Sequence, residues 1–233
     1  MKKLLALILV LSLSAVALIA CKKDATDTTD LDKVAAMYAI SQPTKIVATT
    51  THQFGSKTLT GTYELKSGYI DGDTPAATLK SNYQQMRDVD SGSGQEILNA
   101  IEDVTELVEY VEGKGTRTTL NGKRGSWNNE GESIIPAKGA IALNLDSSVI
   151  TQFTYENDVL TFTVPQANVA TVFGAEYAAD IASDVEVKIV DDGAVVTSID
   201  LHYLLAGNGT NLDKSEMTVK VVYTYDLERI TIE

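Results

Sequence analysis

The chain predicts a mainly β fold of the α+β kind, with about 9–11 antiparallel strands and two or three short helices. Three observations carry that expectation. Apolar residues recur at every second position through most of the chain beyond residue 45. Turn residues break the pattern at Gly55-Ser56, Asp71-Gly72-Asp73, Asn121-Gly122 and Asp191-Asp192-Gly193. Helical spacing is confined to short stretches, which leaves the strands to supply the core.

The elements follow in order. Residues 1–20 start with Lys2 and Lys3, run through apolar and small residues, and end Leu18-Ile19-Ala20 before Cys21. The apolar run of roughly 17 residues is shorter than the roughly 20 that a spanning helix needs. A basic start and a small-residue end mark a secretory signal peptide. The ending reads as a lipobox, with cleavage before Cys21 and a diacylglyceryl group on its thiol. This predicts an exported protein held by a lipid anchor on the extracytoplasmic face of the cell membrane. If the cell has a second, outer membrane, Lys22 in place of an aspartate directs the protein there. Several acyl chains hold a protein far better than one. Residues 21–29 are polar and aperiodic beyond the cysteine and read as a flexible tether. Residues 30–233 form one β-rich domain.

Within that domain, Thr29 or Asp30 caps a helix to about Ser41. Leu31, Val34, Ala35 and Tyr38 share its apolar face, and Pro43 stops it. Ile46, Ala48, Thr50, His52 and Phe54 share one face of a strand. Leu59, Gly61, Tyr63 and Leu65 line the next, and Ala77, Leu79, Ser81 and Tyr83 a third. Asp88 to Gly94 reads as a loop, residues 95–101 as a helical or irregular piece, and 103–112 as a strand rich in β-branched residues. Gly113-Lys114-Gly115 is a turn, and Trp127 ends a short extended segment. Val149, Thr151, Phe153 and Tyr155 share a strand face, and so do Leu160, Phe162 and Val164. Pro165 starts a short helix to about Phe173, and Gly174 ends it. Val185, Val187 and Ile189 lead to a hairpin turn. The strand Val195–Leu205 pairs with Met217–Tyr225, and Ile230 and Ile232 close the chain.

Composition excludes several functions. The 233 residues hold 19 basic and 32 acidic side chains, a net of −13. Removing the signal takes away two lysines and no acid, so the mature surface is more acidic still. Such a surface repels phosphate backbones, which excludes nucleic acid as a partner. Cys21 is the one cysteine, so its use as an anchor leaves no thiol for a disulfide, a nucleophile or a Cys-ligated zinc.

Catalytic and metal motifs are weak. His52 and His202 are the two histidines, and no G-x-S-x-G elbow accompanies them. His202 alternates against Leu201 and Tyr203 and so faces solvent. Neither histidine has the helical spacing of a zinc site. Asp88-x-Asp90-x-Gly92 opens like a calcium loop. It lacks a third oxygen ligand and the sixth-position glycine, and Asn99 stands where the glutamate belongs. Glu102, Asp103, Glu106, Glu109 and Glu112 read as a solvated polar face. Asn208-Gly209-Thr210 matches a glycosylation acceptor by accident in a bacterial signal context. The chain is therefore expected to be no enzyme and to need no metal or cofactor.

A family resemblance enters on these residues. The lipobox, tether and N-terminal helix, the helix entered at PQANVATVFG, and the strands SDVEVKIVDDGAVVTSIDLHYLL and EMTVKVVYTYDLERITIE resemble the half-barrel lipoprotein carriers of the LolA and LppX–LprG type. The likeness spans roughly 30–233 and lies in strand pattern. It implies a curved antiparallel sheet, a half-barrel, wrapped over helices on its concave face, and an apolar concave surface that takes the acyl chains of a lipidic ligand. The inward candidates it implies are Leu59, Tyr63, Leu79, Tyr83, Phe153, Phe162, Ile199, Leu201, Val221 and Tyr223. The resemblance predicts a lipid or other apolar ligand. The alternative is a β-rich adhesion or scaffold module with a filled core and a protein or glycan partner.

Overall fold

The computed structural model describes residues 28–54, 56–90, 97–136, 143–206, 215–226 and 228–232. The expected signal peptide, Cys21, most of the expected tether and the Asn208-Gly209-Thr210 sequon lie outside them.

An antiparallel meander runs through β1 (Lys45–Phe54), β2 (Lys57–Ile70), β3 (Thr74–Asp90), β4 (Ile97–Val111), β5 (Gly115–Leu120) and β6 (Lys123–Arg124). A second comprises β7 (Phe153–Glu156), β8 (Val159–Val164), β9 (Val185–Asp191), β10 (Val196–Leu205) and β11 (Ser215–Thr224). The meanders join where β1 pairs antiparallel with β11, giving the order β6-β5-β4-β3-β2-β1-β11-β10-β9-β8-β7. Among the described residues the end strands β6 and β7 do not pair with each other, so the sheet is an open, curved half-barrel. The two-residue β12 (Glu228–Arg229) lies parallel to β2 at Gly68 and Tyr69. It takes the place that β1 vacates, because the β1–β2 ladder ends at Lys45–Lys66.

The turns follow from their residues. Asp71, Asn121, Asn157 and Asp158 hold positive φ, beside Gly72 and Gly122 at +96° and +76°. Asp and Asn tolerate the left-handed region that tight hairpins require.

Period-two alternation sorts the strands into two faces. From Ser215 to Tyr223, every odd residue of β11 is buried and every even one exposed. The register carries one inner face across neighbours: Tyr63 opposes Ala48 and Ser81, and Val221 opposes Ala48 and Ile199. Helix α1 (Thr29–Ile40) buries Leu31, Val34, Met37 and Tyr38 against this face. Its N-cap is Thr28, not Thr29 or Asp30. Ser41 closes it, with its amide bonded to the Met37 and Tyr38 carbonyls and its Oγ donating to the Met37 carbonyl at 2.7 Å.

Two further segments cover the concave side. The Pro165–Phe173 helix is a 3-10 turn (Gln166–Asn168) running into α2 (Val169–Phe173), then α3 (Ala175–Ala178). The connection from β6 to β7 must pass from one sheet edge to the other. Its Ile134, Leu143, Leu145 and Ile150 are buried in the same core, so it crosses the concave face. Asn144 ties it to α2 through bonds from its amide to the Val172 carbonyl, 3.0 Å, and from Nδ2 to the Thr171 carbonyl, 3.3 Å.

Several expectations need correction. Asp88–Asp90 belong to β3 and Ile97–Ile101 to β4, so neither the loop from Asp88 nor the helical piece at 95–101 forms as expected; residues 91–96 lie outside the description. Pairing from Arg87–Ala100 to Asp90–Ile97 overrides the helical spacing of Ile97, Ile101 and Val104. The strand at Val149–Tyr155 begins only at Phe153. Asp146 takes the chain into a turn, accepting the Ser148 amide on Oδ1 at 2.8 Å and the Val149 and Ile150 amides on its carbonyl. The acidic run is not one solvated face. Alternation sends Glu102 and Glu106 inward and Asp103 and Glu109 outward, and Glu109 is 1% exposed.

Glu109 belongs to a second, smaller core on the convex face. Arg117 bonds it through Nε at 2.7 Å and through a terminal nitrogen at 2.5 Å, and the guanidinium lies 4.7 Å from the Trp127 ring centre. Ala76, Val111 and Ile230 pack nearby, with Ile70, Trp127 and Ile232 around them. Gly115 lets the Trp127 loop approach, since a Cβ there would sit 2.0 Å from the Asn128 carbonyl oxygen.

Candidate functional site

All ten inward candidates lie on the concave face. The register places Leu59 opposite His52, Leu79 opposite Leu65, Phe162 opposite Phe153 and Val187, and Leu201 opposite Val219. Leu59, Tyr63, Leu79, Phe162, Ile199, Leu201, Val221 and Tyr223 are at most 9% exposed. They are packed core. Tyr83 and Phe153 are partly buried and mark where the face is less covered.

The covering is uneven. On β8–β11 the inward residues from Leu160 to Val221 are sealed by α1, α2 and the crossover. On β3–β5 the inward row is more open. Tyr83, Val108 and Tyr110 are partly buried, and Leu120 is 46% exposed. This half of the concave face is the candidate site. Val104, Val108, Tyr110 and Leu120 were missed in the sequence. The even-numbered apolar residues of β4 were the available signal, but Glu106 interrupts their row and the helical spacing of the same segment competes with it.

Gly61 shapes the site. A Cβ at Gly61 would lie 2.7 Å from Thr50 Oγ1 and 2.9 Å from Tyr63 Cε2. Its hydrogen leaves room for the Tyr63 ring to fold back toward Thr50. There the ring stacks on Tyr83, with centroids 6.1 Å apart and planes inclined by 15°. Burial pushes the Tyr63 phenol up to about 12, with the Tyr83 phenol and the Glu106 carboxylate adding to it and the Thr50 hydrogen bond opposing it. Burial and then Glu106 raise Tyr83 as well.

The face is apolar yet holds hydroxyls without partners. Among the described residues, Tyr38, Ser81 and Tyr223 are buried with a side-chain oxygen that makes no hydrogen bond. An unsatisfied buried hydroxyl costs on the order of 1–3 kcal/mol. Burial drives the Tyr38 and Tyr223 phenols well above their ordinary range, and the Tyr223 and Tyr225 phenols add to the Tyr38 shift.

Two polar clusters lie elsewhere on the sheet, at opposite ends of its strands. His52 Nε2 is 2.8 Å from Ser215 Oγ at the end where β1 stops and β11 starts. Burial lowers the His52 pKa, which favours neutral imidazole. Ser215 is buried and its oxygen is already taken up by His52, unlike that of Ser81. At the other end, Lys33 of α1 donates to the Tyr155 hydroxyl at 3.1 Å, which donates to Asp191 Oδ2 at 2.9 Å. His202 faces outward, as its alternation predicts, between Glu186 at 3.3 Å and Glu216 at 2.9 Å. Among the described residues no group of three His, Cys, Asp or Glu side chains is arranged to hold a metal ion.

No protein-family model matches the chain. No curated protein matches it either. Among solved structures, it is similar to LprF from Mycobacterium bovis at 11% identity and a TM-score of 0.35, over 88% of this chain and 95% of that one. It is also similar to Rv2717c from M. tuberculosis at 8% identity and a TM-score of 0.28, over 86% of this chain and 98% of that one. The fold class rests on the strand order and register.

Proposed function

We propose that the chain is an exported lipoprotein, anchored through Cys21, whose concave face binds an apolar ligand without catalysing a reaction. The observation that supports this most is the β3–β5 half of that face. It carries the apolar side chains of Leu79, Val104, Val108, Tyr110 and Leu120, is only partly covered, and holds Ser81, a fully buried hydroxyl with no partner among the described residues. A guest with an apolar body and a polar end would meet both features. Each methylene removed from water contributes about 0.8 kcal/mol, so a dozen would compete with a bilayer. The membrane link rests on the Lys2–Cys21 segment; among the described residues no helix is long and apolar enough to cross a membrane.

Two measurements test this reading. Organic extraction and native mass spectrometry of the purified full chain should show a co-purifying lipid, or uptake of one from vesicles of the host membrane lipids. A chain that carries no ligand and takes up none removes the binding reading in favour of an adhesion or scaffold module. Cys21→Ser should move the protein from the detergent to the aqueous phase in a detergent-partition experiment. Unchanged partition would remove the anchor.

A further inference from the structure

We infer that Tyr63, Ser81, Tyr83 and Glu106 form a headgroup site for an ammonium-bearing amphiphile. The inference rests on the apolar-ligand reading and adds the chemical class of the ligand.

The ladder brings the four residues together. Ser81 pairs directly with Tyr63 on β2 and with Glu106 on β4, and Tyr83 lies two residues along β3 from Ser81. Directly paired residues and next-but-one residues share a sheet face. All four therefore point to the concave side, with Val104 and Val108 flanking Glu106 on β4. Glu106 is partly buried, and among the described residues no ion pair or hydrogen bond involves its carboxylate. Its neighbour on β5 is Leu120, and Lys123 on β6 lies beyond that, two strand spacings or about 10 Å away. Its negative charge raises both stacked tyrosines, so it lies close to them.

Of the two inward acids of β4, Glu102 accepts a hydrogen bond from Gln85 Nε2 at 3.4 Å, whereas Glu106 has no such partner among the described residues, and an unpaired carboxylate beside apolar side chains is costly. Here it stands beside two stacked phenol rings, whose faces attract cations, and a buried hydroxyl that lacks a partner. An ammonium group answers each feature. It pairs with the carboxylate, rests against the partly buried Tyr83 ring and donates a hydrogen bond to Ser81 Oγ. An anionic headgroup would meet the carboxylate as a like charge. A neutral alcohol would satisfy Ser81 and leave Glu106 unpaired. The apolar tail would follow Val108 and Tyr110, which lie along β4 to one side of Glu106.

Calorimetric titration of the full chain with dodecylammonium, dodecanol and dodecyl sulfate, each below its micelle concentration, tests the inference. Dodecylammonium should bind at least tenfold more tightly than dodecanol, and dodecyl sulfate most weakly. The chain is acidic overall, so a cation preference alone does not locate the site. Glu106→Gln should bring dodecylammonium to within about twofold of dodecanol and leave dodecanol unchanged. Glu186→Gln, an exposed carboxylate on the convex face, should keep the full preference. Tyr83→Leu, a second probe should Glu106→Gln fail to fold, should weaken dodecylammonium more than dodecanol. Equal binding of ammonium and alcohol, or a preference that survives Glu106→Gln, overturns the headgroup inference and leaves the apolar-ligand reading standing. No binding of any of the three overturns both.

Discussion

At the scale of single residues, the polar side chains divide by what surrounds them. His52 is half-buried and its pKa is lowered by burial. A base whose folded pKa lies below its unfolded value of about 6.5 takes up its proton first in the unfolded chain. Its contribution to stability is complete above about pH 6.5 and is lost as the pH falls through the folded value. Thermal unfolding between pH 7 and pH 5 should therefore show a larger loss for the wild type than for His52→Gln; equal slopes would show that His52 is not the group responsible. Glu109 and Arg117 behave differently. The pair is buried, doubly contacted and covered by Trp127. Glu109→Gln removes the charge that balances Arg117, and such a loss costs about 3–5 kcal/mol. Glu109→Met with Arg117→Met removes both charges and should recover much of that in urea denaturation. The outward direction of Glu109 was readable from alternation. Its burial was not, because it depends on Arg117 and on the Trp127 ring against that guanidinium, both supplied by later parts of the chain.

At the scale of elements, α1 is held by packing more than by its own sequence. Thr28 provides no side-chain bond to the helix amides, although its Oγ1 donates to Asp32 Oδ2 at 2.9 Å. A helix of 12 residues is marginal in isolation. Its order comes from Leu31 and Val34, both 0% exposed, and from the Lys33–Tyr155–Asp191 chain of hydrogen bonds. Leu31→Ala should cost about 2–5 kcal/mol. Hydrogen exchange should then rise first in α1 and only later in β10 and β11; simultaneous exchange would make α1 inseparable from the sheet. The helix was legible from the spacing of Leu31, Val34 and Tyr38, and the hairpins from their Asp, Asn and Gly turns. The first half of β4 was not. Ile97, Ile101 and Val104 fit a helix by spacing, and only the long partner strand β3 decides the outcome.

At the scale of the molecule, two meanders meet along β1 and β11, over the register from Lys45–Thr224 to Gln53–Glu216. One apolar face runs through that junction without a break. The halves should therefore unfold together. Trp127 lies in the first half and reports on it, while far-ultraviolet dichroism reports on both. The two signals should share one urea midpoint; separate midpoints would mean that each meander stands alone. The sequence by itself determined the β-rich class and the alternating rows to which the ten apolar candidates belong. Those are local properties, set by the chemistry of a short segment or by the two-residue period of a strand. Only the tertiary structure decided which of them are sealed and which are reachable. Exposure depends on what crosses the concave face, and α1, α2 and the β6–β7 connection cover β8–β11 more fully than β3–β5. The same geometry sets Glu106, one acid in a run of five, beside Tyr63, Ser81 and Tyr83. No spacing along the chain carries that meeting, because strand register makes neighbours of residues some twenty positions and more apart.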